Sequence, residues 1–384
     1  MSYVLRDYQQ KASDAAVSFF ANKTKRNNAI MVLPTGAGKS LVIADIASRL
    51  EGHTLVFQPS KEILEQNYLK LCSYGILDCS VYSASFGRKD ISRITFATIG
   101  SVKNHPELFQ HFRNIIIDEC HLVNPKEGMY KDFLTMLQCK VLGLTATPYR
   151  LSSSRDFGSM LKFITRTRPC VFSEVIYQVQ ISTLLDMGYL SKLNYYAMNP
   201  LGWNELNLKV NTTGADYTDK SVVKEYERID FYGFLVSIVR RLMNPKVGGK
   251  RKGILVFTRF LKEAQRLTQS IPGTAIVSGD TPKKERERIL EEFKAGEIPV
   301  VANVGVLTTG FDYPELDTIV MARPTMSLAL WYQIVGRAIR PHPTKEAGWI
   351  VDLCGNIKRF GEVKDLRLVN GGNGKWAVFS NNRQ

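Results

Sequence analysis

The order of apolar and polar stretches in the first 150 residues predicts short strands that alternate with helices. Longer amphipathic stretches such as Ser40–Arg49, Lys61–Leu71 and Tyr130–Leu137 are predicted helices. Alternation of this kind is typical of a parallel, doubly wound α/β sheet. The predicted strands are Ala29–Leu33, Thr54–Gln58, Ser80–Tyr82, Ile94–Ala97, Ile115–Asp118 and Val141–Thr145.

A second alternation begins at Gly253. Its predicted strands are Gly253–Thr258, Ala275–Val277, Val300–Asn303, Thr318–Met321 and Trp349–Asp352, and its predicted helices are Leu261–Gln269, Lys283–Phe293 and Leu328–Ile339. The stretch 151–250 between the two alternations is less regular. Within it Asn204–Asp219 is a predicted polar loop insertion, and Asn244–Lys252 is a basic, glycine-containing connector.

A chain of 384 residues exceeds the size at which a single core keeps growing. We therefore predict an α/β fold with two doubly wound parallel-sheet domains and a cleft between them. The predicted boundaries are a first domain at 1–151, a connector and insertion at 152–250, a second domain at 251–358 and a C-terminal extension at 359–384.

A glycine-rich turn joins the first predicted strand to the first predicted helix. Backbone N–H groups of such a turn, together with the helix N-terminus, can cradle phosphate oxygens. Lys39 is then expected to reach the β- and γ-phosphates, and the Ser40 hydroxyl to hold Mg²⁺. Leu33 stands where the general pattern has glycine, so the match is to the Gly-Lys-Ser end. The residues predicted to bind nucleotide here are Thr35, Gly36, Ala37, Gly38, Lys39 and Ser40.

Two adjacent carboxylates, Asp118 and Glu119, follow the β-branched stretch that starts at Ile115. Adjacent side chains at a strand end point in opposite directions, so the two groups can have different roles. We expect Asp118 to hold the Mg²⁺ that bridges the phosphates and Glu119 to orient and deprotonate the attacking water. These residues and the glycine-rich turn together predict ATP hydrolysis with Mg²⁺.

Arg337 and Arg340 are three residues apart in a predicted helix and are therefore expected on one helical face. A solvated helix face would also explain them. The nucleotide site, however, needs an arginine finger to stabilise charge on the transferring phosphoryl group. A finger from a separate domain would make hydrolysis depend on domain closure.

The net charge of +15 is spread along the chain, with about +5 in residues 1–150, about +6 in 151–252 and about +4 in the remainder. A distributed basic surface is typical of proteins that bind nucleic acid across several domains. The six cysteines form no C-x-x-C pair, and no apolar run is long enough to span a bilayer. We expect a cytoplasmic protein with no membrane partner.

The motifs, taken in order, resemble those of superfamily 2 helicases with two RecA-like domains. The similarity is greatest to RadD-like and XPB-like DNA helicases, which have a role in DNA repair. RadD-like proteins have a longer, cysteine-bearing C-terminal region than this sequence, which ends at Gln384. The segments that carry the resemblance are Leu5–Gln9, Leu33–Ser40, Asp118–His121 (the DExH box), Thr145–Leu151, Ser278–Pro282, Leu307–Pro314 and Gln333–Pro341.

The resemblance implies further roles. Arg6 and Gln9 would contact adenine, Gly310 and Asp312 would contact nucleotide, and the catalytic residue Gln333 would relay, with His121, between nucleotide and strand. His121, Thr145 and Thr147 would couple the nucleotide to the nucleic acid. Small or hydroxylated residues at strand ends would contact the backbone without reading bases. These are Pro59, Ser60, Lys61, Thr98, Gly100 and Ser101 in the first domain, and Thr258, Arg259, Ser278, Gly279, Thr308 and Thr309 in the second.

The leading hypothesis is a monomeric, ATP-dependent motor that moves on DNA and unwinds or remodels it. The expected partner is single-stranded, forked or branched DNA. Three alternatives stay open. RNA is one, since backbone contacts barely distinguish the sugars. The motor portion of a restriction system is the second, and an ATPase stimulated by nucleic acid that anneals or remodels without unwinding is the third.

Overall fold

The computed structural model describes residues 3–24, 27–137, 139–154, 158–198, 206–212, 214–245, 251, 253–307, 313–372 and 375–380. The chain divides into two compact units, which are described separately. One comprises Met1–Arg150, Leu161–Gln180 and Leu368–Val378, and the other comprises Leu151–Met160, Ile181–Arg367 and Phe379–Gln384. Among the residues described, no helix is both long and apolar enough to cross a membrane.

The first half of the chain alternates strands and helices, and the six predicted strands are confirmed to within one residue at each end. In chain order the elements are α1 (Asp7–Ala21), β1 (Ala29–Val32), α2 (Lys39–Arg49), β2 (Thr54–Phe57), α3 (Lys61–Ser73), β3 (Cys79–Ser83), β4 (Arg88–Lys89), β5 (Ile94–Ala97), α4 (Ile99–Val102), β6 (Asn114–Ile117), α5 (Met129–Met136), β7 (Lys140–Thr145), β8 (Tyr149–Ser154), β9 (Gly158–Phe163) and β10 (Glu174–Gln178).

The first unit is built on an eight-stranded sheet in the order β10-β1-β7-β6-β2-β5-β3-β4. Its strands pair in parallel, except that β4 runs antiparallel to β3. β1, β2, β5 and β6 are buried along their whole length, because apolar residues fill both faces of a covered parallel sheet. Val32 pairs with Thr145 and Ile117 with Gly143, so the carboxyl ends of β1, β7 and β6 meet at one sheet edge.

The second half of the chain supplies the other unit and a final pair of strands. In chain order its elements are α6 (Ile181–Asp186), β11 (Lys192–Ala197), α7 (Asp219–Arg228), α8 (Phe231–Met243), β12 (Ile254–Thr258), α9 (Leu261–Ser270), β13 (Thr274–Ser278), α10 (Lys283–Ala295), β14 (Val300–Val304), β15 (Thr318–Ala322), α11 (Leu328–Val335), β16 (Ala347–Asp352), α12 (Asn356–Phe360), β17 (Arg367–Asn370) and β18 (Trp376–Phe379).

The second unit has a six-stranded sheet in the order β11-β16-β15-β12-β14-β13, and all its strand pairs are parallel. Its core includes Val256 of β12, Val320 of β15 and Leu267 of α9, all fully buried. The predicted α/β class with parallel sheets is therefore confirmed in both units.

The stretch 151–250, predicted as irregular, contains more structure than expected. β10 and β11 each form the edge of a sheet, and α7 and α8 are helices. α8 buries Phe231, Leu235 and Val239, which are spaced four residues apart on one helix face. The described part of the predicted insertion is a loop up to Thr218 that contains a bridge between Val210 and Tyr217. Most of the predicted connector, residues 246–250 and 252, lies outside the described residues.

The predicted helix Leu328–Ile339 is wrong at its C-terminal end. α11 ends at Val335, where Gly336 is its C-cap. Beyond it the N–H groups of Arg337 and Ala338 bond to carbonyls three residues back, in tight turns. A proline also disfavours helical backbone at the residue before it, and Pro341 follows Arg340 directly. Arg337 and Arg340 therefore do not share a helical face.

Candidate functional site

The glycine-rich turn lies between β1 and α2, at the carboxyl end of the sheet. Gly36 and Gly38 have φ values of 84° and 78°, a left-handed conformation that favours glycine. The Leu33 N–H donates to Thr145 O at 3.1 Å, which fixes the turn beside the end of β7. α2 then begins at Lys39, so its N-terminal N–H groups complete a cradle that suits phosphate.

Helix α1 braces this turn from the other side. The Tyr8 hydroxyl and Gln9 Nε2 both donate to Ala37 O, at 2.8 and 3.0 Å. Gln9 Oε1 accepts from the Arg6 N–H at 3.0 Å, and a Cβ at Gly38 would stand 2.5 Å from Gln9 Nε2. The adenine contacts of Arg6 and Gln9 stay predictions. The bracing by Tyr8 and Gln9 was not anticipated, because it depends on contacts about 30 residues apart.

The carboxylate pair follows β6 at the same edge of the sheet. Glu119 has φ 49°, a left-handed conformation that is uncommon for a residue with a side chain and costs on the order of 1 kcal/mol. Its N–H donates to Asp118 Oδ1 at 2.9 Å. Glu119 Oε1 lies 3.3 Å from Lys39 Nζ, so the structure brings the glycine-rich turn and the predicted general base into direct contact.

The pKa values of the two carboxyl groups are shifted in opposite directions. Burial, with the neighbouring Glu119 charge, raises the pKa of Asp118 to about 7. Burial also opposes ionisation of Glu119, but Lys39 and His121 outweigh it and lower the pKa of Glu119 to about 2. Glu119 is therefore the carboxylate that stays charged, and Asp118 is the one whose ionisation is opposed, because the Lys39 charge does not outweigh its burial and the Glu119 charge.

The donor set fits a magnesium ion that is held jointly with phosphates. The Ser40 hydroxyl and the Asp118 carboxylate are hard oxygen ligands, and Mg²⁺ commonly takes one or two such protein ligands beside phosphate oxygens. A divalent cation would supply the further positive charge that ionisation of the buried Asp118 needs. Within the described ranges no group of three or more His, Cys, Asp and Glu residues forms a separate metal site.

His121 connects Glu119 to the end of β7. Its Nδ1 lies 3.3 Å from Glu119 Oε2, 3.0 Å from Thr145 Oγ1 and 3.3 Å from Thr147 Oγ1. Both threonines are fully buried, and the Thr147 N–H donates to Thr145 Oγ1 at 3.0 Å. The three residues predicted to couple nucleotide and nucleic acid therefore form one network that ends on the predicted base.

Two residues that the sequence reasoning missed, Arg150 and Gly143, shape the turn after β6 that carries Asp118 and Glu119. The Arg150 guanidinium donates to the carbonyl oxygens of His121 and Val123. A Cβ at Gly143 would stand 2.6 Å from Cβ and Sγ of Cys120, so only glycine leaves room for that side chain. An isolated glycine in an apolar strand often marks such a close approach, and that signal was present in the sequence.

The predicted backbone-contacting residues of the first unit lie after β2 and β5. The Ser60 hydroxyl caps α3 by accepting from the Ile63 N–H at 3.3 Å. Thr98 and Ser101 share a hydrogen bond of 2.9 Å, and Gly100 has open space where a Cβ would be. Lys61 donates to the carbonyl oxygen of Ser85. Pro59 is half-buried beside Ser60.

In the second unit the surroundings differ from what the sequence suggests. The Thr258 side chain is 1% exposed and donates to Asn303 O at 3.3 Å. Arg259 pairs with Asp216 at 3.0 Å and Asp219 at 2.8 Å, and donates to Tyr217 O at 2.7 Å. Both side chains thus have bonding partners inside the unit, and the proposed nucleic-acid contacts do not include them. The reason is long-range: the partners of Arg259 lie some 40 residues away, in the insertion.

Other predicted residues of this unit are more accessible or lie outside the description. Ser278 ends β13, and Gly279 after it is exposed with open space around its Cα. Gln333 lies on α11. Burial lowers the pKa of the Arg340 guanidinium, so much of this cation is out of water. Thr308, Thr309, Gly310 and Asp312 lie outside the described residues.

Comparisons with known proteins agree with this arrangement. Two family models match the chain: the res subunit of type III restriction enzymes over residues 2–150, and the helicase conserved C-terminal domain over residues 236–342. They match the parts of the chain that carry the glycine-rich turn and the two arginines. The chain belongs to the superfamily 2 helicases.

Individual relatives are distant. The chain is 25% identical over 390 residues to a putative ATP-dependent helicase, IRC3, of Saccharomyces cerevisiae, covering 92% of this chain and 52% of that protein. It is 26% identical over 368 residues to a DNA 3'-5' translocase, XPB2, of Sulfurisphaera tokodaii, covering 88% and 78%. The chain thus spans about half the length of the first of these relatives.

A solved structure supports the fold. The fragment of a putative HsdR subunit of a type I restriction enzyme from Vibrio vulnificus matches with a TM-score of 0.68 at 22% identity. The match covers 94% of this chain and 66% of the fragment. At this identity the likeness shows that the two chains share a fold and no more.

Proposed function

We propose that this chain is an ATP-driven motor that moves on DNA and unwinds or remodels it. The observation that carries the proposal is the 3.3 Å contact between Lys39 of the glycine-rich turn and Glu119 after β6. This contact supports the proposal because the proposed phosphate-binding cation and the proposed general base then lie at one sheet edge, as ATP hydrolysis requires.

In this proposal the turn from Thr35 to Ser40 holds the phosphates through its N–H groups, and Lys39 leaves Glu119 to bind the β- and γ-phosphates. Glu119 then orients and deprotonates the attacking water. When bound, Mg²⁺ held by Ser40 and Asp118 would neutralise charge on the phosphates. Asp118 is fixed for this by its N–H bond to Phe57 O at 3.0 Å.

The proposed contacts with nucleic acid lie in the first unit at Ser60, Thr98, Gly100 and Ser101, and in the second unit at Ser278 and Gly279. N–H and O–H groups at these strand ends suit backbone phosphates. The net charge of +15 supports a polyanionic partner. The name of the XPB2 relative, a DNA translocase, favours DNA over RNA.

The second unit contributes Arg337 and Arg340, which we propose to stabilise the γ-phosphate during hydrolysis, with Gln333 beside them. This role makes turnover depend on both units. We further expect a monomer that acts in the cytoplasm on single-stranded, forked or branched DNA, in a DNA-repair setting.

The proposal is tested by measuring the rate of ATP hydrolysis with single-stranded DNA, duplex, forked DNA and RNA, beside a strand-displacement assay. Wild-type protein should show stimulation by DNA. Glu119→Gln, which keeps the shape of the side chain but not the proton acceptor, should hydrolyse ATP about 10²–10⁴-fold more slowly while still binding it. Stimulation by RNA alone, or hydrolysis by Glu119→Gln at the wild-type rate, would contradict the proposal.

Strand displacement separates two modes of action. Hydrolysis that is stimulated by DNA without displacement on any substrate would identify a remodelling or annealing ATPase.

A further inference from the structure

Three consecutive carbonyl oxygens in the arginine segment, defined as residues 337–340, accept hydrogen bonds from two residues elsewhere in the second unit. Lys345 Nζ donates to Ala338 O at 3.1 Å. The Ser191 N–H donates to Ile339 O at 2.8 Å, and the Ser191 hydroxyl donates to Arg340 O at 3.0 Å. α11 has ended at Val335, so these bonds support the segment beyond the helix.

Lys345 Nζ has two further carbonyl acceptors. Its ammonium also donates to Pro314 O at 2.8 Å and to Leu316 O at 3.2 Å. An ammonium has three donors, and here three carbonyls accept from it. The residue is 8% exposed, and a buried charge is unfavourable unless it is well bonded. Lys345 thus joins the arginine segment to the backbone at Pro314 and Leu316.

β16 also packs closely against the arginine segment, at Gly348. A Cβ at Gly348 would stand 2.6 Å from Ala338 O and 3.1 Å from Ala338 Cβ. Any side chain at 348 would therefore displace the carbonyl that Lys345 holds. Lys345, Ser191 and Gly348 thus act on one short piece of backbone.

We propose that Lys345 and Ser191 are positioning residues that fix the arginine segment for ATP hydrolysis, an inference that rests on the proposed role of Arg337 and Arg340. A charged side chain that stabilises a transition state must be held to within about 0.5 Å by its support. A misplacement of about 1 Å can cost about 100-fold in rate. Two tight-turn bonds tie the start of the segment to α11, and the bonds from Lys345 and Ser191 hold its carbonyls at 338, 339 and 340.

The first test compares turnover with nucleotide binding. Lys345→Met keeps the length of the side chain, suits a buried site and removes all three donors. We expect its DNA-stimulated kcat to fall about 10- to 100-fold while the Kd for ATP stays within about twofold. Ser191→Ala removes only the bond to Arg340 O and should have a smaller effect of the same kind. The matched control is Lys262→Met, since Lys262 is exposed on α9, where it pairs with the exposed Glu227 and lies 4.8 Å from the centre of the Tyr232 ring.

The pH dependence of kcat gives a readout that a general loss of stability would not move. Burial lowers the pKa of Lys345 to about 8; the charge of Asp317 opposes this shift and the charge of Arg340 adds to it. His342 and Glu346 line the same side of the unit. A neutral amine has two donors for three carbonyls, so the support is complete below about pH 8 and weakens above it. Wild-type kcat should therefore decline from pH 8 to 9, and this decline should be absent in Lys345→Met.

The outcomes separate this inference from the proposed function. The positioning role alone would be overturned if Lys345→Met and Ser191→Ala both kept the wild-type kcat while the Arg337→Ala, Arg340→Ala double variant was inactive. Full DNA-stimulated activity in the arginine double variant would overturn the finger role itself. If Lys345→Met fails to fold, Ser191→Ala and the wild-type pH profile decide: an unchanged kcat with no decline above pH 8 refutes the inference.

Discussion

Gly143 packs against the turn after β6 that carries Asp118 and Glu119. One methyl group added at Gly143 tests whether ATP hydrolysis depends on the position of that turn. A Cβ there would stand 2.6 Å from Cβ and Sγ of Cys120 and 3.0 Å from Cε1 of Phe172. Carbon atoms in contact prefer about 3.5–4.0 Å, so Gly143→Ala requires a shift of about 1 Å. Cys120 directly follows Glu119, so the proposed base moves with it.

Two consequences of Gly143→Ala can be measured. Overpacking should lower the free energy of unfolding by about 1–3 kcal/mol. The displaced Glu119 should lower the DNA-stimulated kcat by about 100-fold, with a smaller effect on ATP affinity. Cys120→Gly in the Gly143→Ala background removes the two closest atoms, leaves only the 3.0 Å approach to Phe172 among the three nearest, and should restore most of kcat. Cys120→Ala leaves the Cβ in place and should restore little.

A second glycine provides the control for Gly143→Ala. Gly100 lies in α4 and has open space where a Cβ would be, so Gly100→Ala should not lower the free energy of unfolding. Because Gly100 is a proposed nucleic-acid contact, this variant is a control for stability and for hydrolysis without DNA. Thermal unfolding and steady-state ATP hydrolysis are measured on all variants. A Gly143→Ala protein with wild-type stability and wild-type kcat would refute the reasoning, because the turn would then tolerate displacement.

Three further predictions address the nucleotide, the nucleic acid and stability. Lys39→Ala should abolish ATP turnover or weaken nucleotide binding, because it removes a point charge between phosphate oxygens; ATP-driven activity at the wild-type level would contradict this. Binding to single-stranded DNA should weaken with salt, with a log–log slope of about −0.7 per phosphate contact, and should be indifferent to base sequence. Affinity that is insensitive to salt would argue against a backbone-tracking motor. Burial raises the pKa of Glu263 to about 7, so ionisation of this group destabilises the fold as pH rises through 7. Glu263→Gln should therefore be more stable than wild type at pH 8.5 by up to about 3 kcal/mol, and the difference should shrink towards pH 5. Equal unfolding curves at pH 8.5 would show that the carboxylate is not destabilising there.

The strands and the glycine-rich turn could be predicted because their signals are local. Thr54–Phe57 and Ile94–Ala97 are fully buried strands whose β-branched and aromatic residues appear in the sequence as continuous apolar runs. Gly36 and Gly38 mark the turn by the only residue type that adopts a positive φ freely. Where one short segment contains the whole cause, the sequence is sufficient.

What the sequence could not show are contacts that join distant segments. The contact of Arg259 with nucleic acid stays a prediction, and its ion pairs with Asp216 and Asp219 of the insertion could not be read from spacing. The support of the arginine segment by Lys345 could not be read from spacing, since its acceptors lie 7 to 31 residues away. The early end of α11 is different, because Gly336 and Pro341 were visible signals that apolar periodicity obscured.

Under the proposed function, the contacts around Glu119 keep the general base inactive until nucleotide binds. Lys39 and His121 beside it lower the pKa of Glu119, which makes the carboxylate a weaker proton acceptor. Two unit charges about 4 Å apart attract by about 4 kcal/mol at an effective dielectric constant of 20, and a triphosphate carries several charges that compete for Lys39. Removal of Lys39 from Glu119 raises the pKa of the carboxyl towards the range in which it works as a base. His121 remains as its partner, and because His121 is shared with Thr145 and Thr147, a shift of these threonines on DNA binding would reach the base through the same ring.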